Sequence, residues 1–277
     1  MQGITEKMRT QLSSSVQYQL VLNDESIDLN PYLGKTIKLR FTGHIACVHC
    51  HKPIKKTYNQ GYCYPCFISL AQCDLCILKP ETCHYHKGTC REPAWGETFC
   101  FQPHLVYLAN SSGIKVGITR QTQIPTRWID QGAVQALPIF RVTSRYLAGL
   151  IEVVLAKHVS DKTSWQKMLK AQPEFIDLVA QRDSLLALCE AELTQIRQQF
   201  AADALELLSD VPIVEIQFPI EHYPNKLKSF NFDQQCEVSG VLQGIKGQYL
   251  LLDTGVLNIR KFTGYELEFL EDDKYLS

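Results

Sequence analysis

Two C-x2-C pairs constrain the fold of this chain more than any other feature. The pairs are Cys47-x2-Cys50 and Cys63-x2-Cys66, and the twelve residues HKPIKKTYNQGY separate them. Each pair lets a tight turn point two thiolates at one ion, and two pairs complete a tetrahedron around Zn²⁺. A four-thiolate site has no open position for water, so we expect this zinc to stabilise the fold without taking part in chemistry.

A second group of metal donors follows directly. Cys73 and Cys76 form a third C-x2-C pair, which needs two more ligands from the residues that follow. We favour Cys83 and Cys90, with Cys100, His104 or His84 as substitutes. The sequence thus predicts about two structural zinc ions, while an iron–sulfur cluster is the alternative because four thiolates also suit it.

The distribution of cysteines indicates metal binding and not disulfide bonding. Nine of the eleven cysteines lie between Cys47 and Cys100. The chain has no basic start followed by an apolar stretch, and no run of about 18 apolar residues. Clustered cysteines without an export signal are typical of metal sites in a reducing compartment. We therefore expect a cytoplasmic protein with no membrane partner.

The charge balance excludes one class of nucleic-acid-binding protein. A formal net charge of -1 does not support coating of DNA by a broad Lys/Arg surplus. A local basic site stays open, because Lys52, Lys55 and Lys56 lie on the loop between the first two cysteine pairs. That loop is either a phosphate-contacting tip or a solvated turn.

Hydrophobic periodicity predicts an α+β fold. Apolar residues alternate with polar ones over 15–22 and 37–41, and apolar runs after residue 236 are broken at 244–247 and 254–255, which predicts strands and hairpins. Because neither end has enough strands to be stable alone, we predict that 1–45 and 211–277 form one small β-barrel or sheet. Between 161 and 208 the spacing becomes helical, and two helices separated near Pro173 are expected.

The segment 105–165 carries a second set of motifs. Residues 105–109 and 114–118 are expected to form an antiparallel pair around the turn SSG, followed by a helix that Pro125 starts and Gly132 ends. The residues that stand out in it are Tyr107 in the first strand, Lys115 in the Lys-Val-Gly of the second, Arg127 in the helix, and Glu152 in AGLIEVVLAKH.

These four positions, in this order and spacing, resemble the GIY-YIG nuclease superfamily, in its phage-type branch with a Lys-apolar-Gly tripeptide. Lys115 stands where the second Tyr of most members stands. The whole chain, with its cysteine pairs ahead of this segment, also resembles an uncharacterised bacterial family of unknown function. The expected arrangement is therefore a zinc-ribbon-like module over 46–104, a GIY-YIG-like α/β core over 105–165 and a helical segment over 166–210.

The resemblance implies a one-metal hydrolysis of phosphodiesters. Glu152 would hold Mg²⁺ or Mn²⁺, which stabilises the leaving oxygen, and Arg127 would neutralise the scissile phosphate. Tyr107 would position or help to deprotonate the attacking water, with Lys115 near the phosphate or sharing the role of base.

Three functions stay open on the sequence. The first is a divalent-metal-dependent endonuclease whose zinc modules grip DNA or RNA. The second is a nucleic-acid-binding zinc protein that does not cleave. The third is a zinc-stabilised regulator or protein-interaction module.

Overall fold

The computed structural model describes residues 1–159, 164–224 and 227–271. Residues 160–163, 225–226 and 272–277 lie outside the described residues. They include part of the predicted 105–165 core and part of the predicted 211–277 strands. The strands are β1 Gln2–Ile4, β2 Arg9–Gln11, β3 Gln17–Leu22, β4 Glu25–Asp28, β5 Thr36–Ile45, β6 His104–Asn110, β7 Ile114–Arg120, β8 Gln135–Val142, β9 Leu205–Leu207, β10 Val214–Glu215, β11 Glu237–Lys246, β12 Tyr249–Leu252, β13 Gly255–Asn258 and β14 Tyr265–Glu271. The helices are α1 Tyr64–Ser69, α2 Pro93–Cys100, α3 Thr126–Asp130, α4 Arg145–Ala156, α5 Trp165–Lys170, α6 Leu178–Leu188 and α7 Glu190–Arg197.

The two ends of the chain meet in one six-stranded sheet, in the order β1-β14-β5-β11-β12-β13. Its centre is β5, where Leu39 pairs with Phe269 on one side and with Val238 on the other. Ile37 and Leu39 are buried on one face, as their alternation with lysine and arginine predicts. The described strands form an open path, so the sheet alternative is confirmed and no closed barrel forms among them.

A separate three-stranded sheet, β2-β3-β4, holds the first predicted strand. In β3, Tyr18, Leu20 and Leu22 are buried on one face, which confirms the alternation in 15–22. The prediction did not include β4, which pairs with β3 directly after a turn at Asn23, where φ is 56°. The left-handed conformation at this asparagine allows the tight hairpin.

The central antiparallel sheet runs in the order β10-β8-β6-β7, and β9 pairs with residues 140–142 of β8. All seven residues of β6 are buried, because both of its faces are covered. Tyr107 and Ala109 join the core shared with the terminal sheet, whereas Val106 and Leu108 join a second core that includes α4. This sheet therefore holds Tyr107 between two packed layers.

The helical segment contains α5, α6 and α7, and the predicted break near Pro173 falls between α5 and α6. A further break lies at Cys189, which is buried and caps α6. Because the helix restarts after it, the predicted apolar stripe is interrupted, and Leu188 is 62% exposed. Over the described parts of the chain, no helix is both long and apolar enough to cross a membrane.

Candidate functional site

The first two C-x2-C pairs lie on either side of a short hairpin. The first follows β5, where the Cys47 carbonyl accepts from the amide of His51 at 2.9 Å and the Cys47 amide donates to the Lys52 carbonyl at 3.0 Å. The second begins after Gly61, whose φ is 121°. A Cβ at Gly61 would lie 2.7 Å from Val48, so a glycine is required for the two turns to approach each other.

The four sulfur atoms of Cys47, Cys50, Cys63 and Cys66 lie within 4.8 Å of one another. The Sγ atoms of Cys50 and Cys63 are 3.8 Å apart, which matches the edge of a tetrahedron with Zn–S bonds of about 2.3 Å. All four are free thiols. The cluster can therefore hold one zinc ion, and its donor set is the one that the sequence predicts.

Backbone amides favour the thiolate form at one of these sulfurs. Burial alone would raise the pKa of the Cys47 thiol, but backbone hydrogen bonds from Cys50, Cys63 and His49 lower that pKa to about 6. The Cys63 amide lies 3.2 Å from the Cys47 sulfur. Burial raises the pKa of Cys66, so metal binding at this cluster releases protons.

The two cysteines of the third C-x2-C pair lie in different places. Cys73 is buried against the first cluster, in a small core with Cys47, Cys63 and Cys66. Cys76 lies instead on a separate cavity of about 20 Å³, which it lines together with three further cysteines, namely Cys83, Cys90 and Cys100.

The two histidines proposed as substitute ligands differ in position. His84 lines the cavity, and its ring lies within 4.8 Å of donors on Asp74 and Cys76. His104 is buried in β6, its Nδ1 lies 2.7 Å from the Gln102 carbonyl, and burial lowers its pKa to about 4. His104 is not among the residues that line the cavity.

Tyr107 and Arg127 meet through a residue that the sequence did not single out. The Gln131 amide donates to the Tyr107 hydroxyl at 2.9 Å and accepts from Nη2 and Nε of Arg127 at 3.1 and 3.2 Å. The Tyr107 ring lies across Gly117, where a Cβ would be 2.7 Å from its hydroxyl. The one sequence signal that could have identified Gln131 is its position directly after the helix that carries Arg127.

Lys115 and Glu152 lie on two other elements, β7 and α4. Lys115 pairs with Ala109 and therefore shares the sheet face of Tyr107. Glu152 is half-buried on α4. Burial raises the pKa of Tyr107, the Arg127 guanidinium lowers it, and the Glu152 carboxylate raises it. The Tyr107 hydroxyl is therefore within electrostatic range of both Arg127 and Glu152.

A basic cleft of about 640 Å³ opens between the hairpin that joins Cys50 to Cys63, here called the zinc hairpin, and the six-stranded sheet of the two chain ends, here called the terminal sheet. Lys55 and Lys56 line it from the hairpin, and Arg260 and Lys261 line it from the turn Ile259–Phe262. Arg260 donates to Gln60 of the hairpin at 2.8 Å. The cleft is therefore built by residues about 200 positions apart, and only the hairpin lysines were noted from the sequence.

One residue of the cleft, Arg260, lies within electrostatic range of Arg127. Burial lowers the pKa of Arg260, the Asp130 carboxylate opposes that shift, and the nearby Arg127 guanidinium adds to it. Mutual influence of this kind requires the two guanidinium groups to be close. Arg127 is thus within electrostatic range of Arg260 but does not itself line the cleft.

Fold and cysteines together define an α+β protein with several antiparallel sheets and a four-cysteine cluster that can hold zinc. A family model described as "Protein of unknown function (DUF2797)" matches residues 34–267, and the chain belongs to that family. No curated protein and no solved structure matches the chain. The resemblance to a family of unknown function is thus confirmed, and the GIY-YIG resemblance stays a prediction.

Proposed function

We propose that this protein is a zinc-stabilised nucleic-acid-binding protein that holds a DNA or RNA strand in its basic cleft. The observation that carries the proposal is the convergence of Lys55 and Lys56 with Arg260 and Lys261 on one cleft. Such a concentration of cations in a chain of net charge -1 is a local site for a polyanion.

The acidic side chain in the cleft does not cancel this charge pattern. Asp233 lines the cleft, and its carboxylate accepts from the Tyr265 hydroxyl at 2.7 Å. The four cationic side chains thus outnumber it, and they come from two sides, as a strand that runs along the cleft requires. Phosphate contacts of this type position a nucleic acid without reading its sequence.

Aromatic rings beside the cleft suit an unpaired strand. Tyr64 is 54% exposed, and its ring lies 5.3 Å from that of Tyr58. The Lys56 ammonium lies 5.3 Å from the centre of the Tyr58 ring. Exposed aromatic rings next to lysines are the usual platform on which single-stranded bases stack. We therefore favour single-stranded DNA or RNA over a duplex.

Zinc has a structural role in this proposal. The cluster of Cys47, Cys50, Cys63 and Cys66 closes both ends of the hairpin that carries Lys55 and Lys56. A closed tetrathiolate site stabilises the fold, and here it holds the basic loop in position against Arg260.

Phosphodiester hydrolysis is a second candidate function, which the grouping of Tyr107, Gln131 and Arg127 near Glu152 favours. Gln131 engages two donors of the Arg127 guanidinium, and the fork of an arginine suits a phosphate. The Glu152 carboxylate suits Mg²⁺ or Mn²⁺, which would supply charge stabilisation of the leaving oxygen. The raised pKa of the buried Tyr107 favours orientation of water over proton removal by this residue.

Binding is tested by fluorescence anisotropy with labelled single-stranded RNA, single-stranded DNA and duplex DNA. We expect Lys55→Gln/Lys56→Gln to weaken binding of single strands. The matched control is Lys167→Gln/Lys170→Gln, which removes the same charge from exposed positions on α5 and should leave binding unchanged. Equal losses in both double variants would contradict a specific cleft, and absence of binding by the wild type would favour a protein-interaction module.

Cleavage is tested separately on the same labelled strands, with Mg²⁺ or Mn²⁺ and with a chelator. The hydrolytic candidate predicts metal-dependent products that disappear in Glu152→Gln while binding persists. Binding without products under any metal condition would leave the nucleic-acid-binding function and remove the enzymatic one.

A further inference from the structure

We propose that Cys76, Cys83, Cys90 and Cys100 hold a second structural zinc ion. All four side chains line one cavity, with six, six and nine residues between successive members. The cavity volume is about 20 Å³, which is close to the space that one small bound species needs. The cavity leaves room for one ion among the four sulfurs, and zinc would draw these sulfurs together, because they do not all lie within 4.8 Å of one another in this structure.

The four cysteines come from separate short elements of this segment. Cys76 lies in the turn Leu75–Ile77, Cys83 directly follows the turn Pro80–Thr82, Cys90 comes just before α2, and Cys100 is the last residue of α2. The Cys90 sulfur lies 3.5 Å from the position of a Cβ on Gly96. The thiol of Cys90 is thus directed back over α2 toward the cavity.

The surrounding segment has almost no hydrophobic core of its own. Between residues 74 and 100, all of which are described, only Pro80 and Gly96 are buried. Leu75 and Leu78 are 57% and 77% exposed. A segment that buries so little apolar surface requires a cross-link such as a metal ion to hold one conformation.

All four cysteines are free thiols in this structure. Binding of Zn²⁺ would displace the four thiol protons to solvent and leave a site of net charge -2.

Arg145 supplies the counter-charge for such a site. Its side chain is half-buried, donates through Nη2 to the Ile77 carbonyl, and lies near Cys76 and Cys100. Among the described residues, its Nε is buried and has no hydrogen-bond acceptor. A zinc-bound thiolate beside it would accept that hydrogen, as outer hydrogen bonds to metal ligands commonly do.

Asp74 and His84 form the rival donor set with Cys76, but both are already engaged. Asp74 accepts from Nε of Arg91 at 2.7 Å. The His84 ring has Nδ1 at 2.8 Å from the Thr89 hydroxyl and Nε2 at 3.5 Å from Asp74. In the proposed site these contacts would keep Asp74 and His84 in the shell around the four thiolates, and the His84→Ala variant below separates the two donor sets.

The position of the site links it to the candidate hydrolytic group. Arg145 is the first residue of α4, and Gly149 of the same helix lies so close to the turn at Pro80 that a Cβ would be 2.5 Å from it. A zinc ion here would therefore hold the segment that supports the helix carrying Glu152.

The test is elemental analysis of the purified full-length protein. We expect two zinc ions per chain in the wild type, and one in Cys83→Ser and in Cys100→Ser. Cys73→Ser, Cys189→Ser and His84→Ala should each keep two. One zinc in the wild type, iron in place of zinc, or loss of an ion in Cys73→Ser or His84→Ala would overturn the four-cysteine site.

A measurement on the wild type keeps the proposal testable if the serine variants do not fold. Alkylation by iodoacetamide before and after zinc chelation, mapped by mass spectrometry, compares each thiol with Cys236, which is exposed. Zinc should protect Cys76, Cys83, Cys90 and Cys100 together, and chelation should release all four. Alkylation of Cys100 in the zinc-loaded protein at the rate of Cys236 would overturn the proposal.

Discussion

The dependence of nucleic-acid binding on salt follows from the number of cations in the cleft. Four cationic side chains line it from two sides, namely Lys55, Lys56, Arg260 and Lys261. If each contacts one phosphate of a single strand, the logarithm of the association constant falls with the logarithm of salt concentration with a slope of about -2.8. Raising the salt from 50 to 200 mM would then weaken binding about 50-fold.

Lys55→Gln/Lys56→Gln removes half of these contacts. The slope should fall to about -1.4, and the same change of salt should weaken binding only about 7-fold. Fluorescence anisotropy with a labelled single strand, titrated at several salt concentrations, measures both slopes. Lys167→Gln/Lys170→Gln should keep the wild-type slope. If the slope stays unchanged when Lys55 and Lys56 are replaced, those two lysines do not contact phosphate and the reasoning is refuted.

Three further predictions concern stability and the metal. Lys246 is fully buried between the rings of Phe218 and Tyr223, and burial lowers its pKa to about 8. The unfolded chain binds this proton more tightly, so the protonated lysine destabilises the folded state below pH 8. Lys246→Met removes this cost and should stabilise the protein by at most about 3 kcal/mol below pH 8. That gain should shrink between pH 8 and about 10.4, and urea unfolding that shows a gain independent of pH would contradict it. Cys63→Ser should lose one zinc ion and weaken nucleic-acid binding to the level of Lys55→Gln/Lys56→Gln. Zinc loss with normal binding would show that the metal does not hold the cleft in its binding conformation. Gly117→Ala should cost about 1–3 kcal/mol, because the added methyl group would meet the Tyr107 ring at 2.7 Å; an unchanged melting temperature would show that Tyr107 can move away.

The parts of the fold that depend on local pattern could be predicted from the sequence. The C-x2-C pairs of the first cluster are close in the chain, and two tight turns suffice to bring them together. Alternation identified β3 and β5, because one face of each strand is buried. The meeting of the chain ends was predictable from the small number of strands at each end.

The parts that depend on distant packing could not be predicted. Arg260 and Lys261 reach the cleft only because the terminal sheet brings a turn near residue 260 beside the zinc hairpin. Cys73 lies with the first cluster although the C-x2-C spacing pairs it with Cys76, because Cys73 ends the turn Ala71–Cys73 and Cys76 lies in the next turn, Leu75–Ile77. Gln131 joins Tyr107 to Arg127 across elements whose contact no sequence spacing encodes.

The central claim, that a nucleic-acid strand lies in the cleft between the zinc hairpin and the terminal sheet, is tested most directly by photo-cross-linking. Single strands that carry 4-thiouridine or 4-thiothymidine would be irradiated in complex with the full-length protein, and the cross-linked peptides identified by mass spectrometry. We expect cross-links in residues 51–64 and 258–262, and fewer of both in Lys55→Gln/Lys56→Gln at the same strand concentration. Cross-links confined to other surfaces of a complex that does bind the strand would contradict the claim.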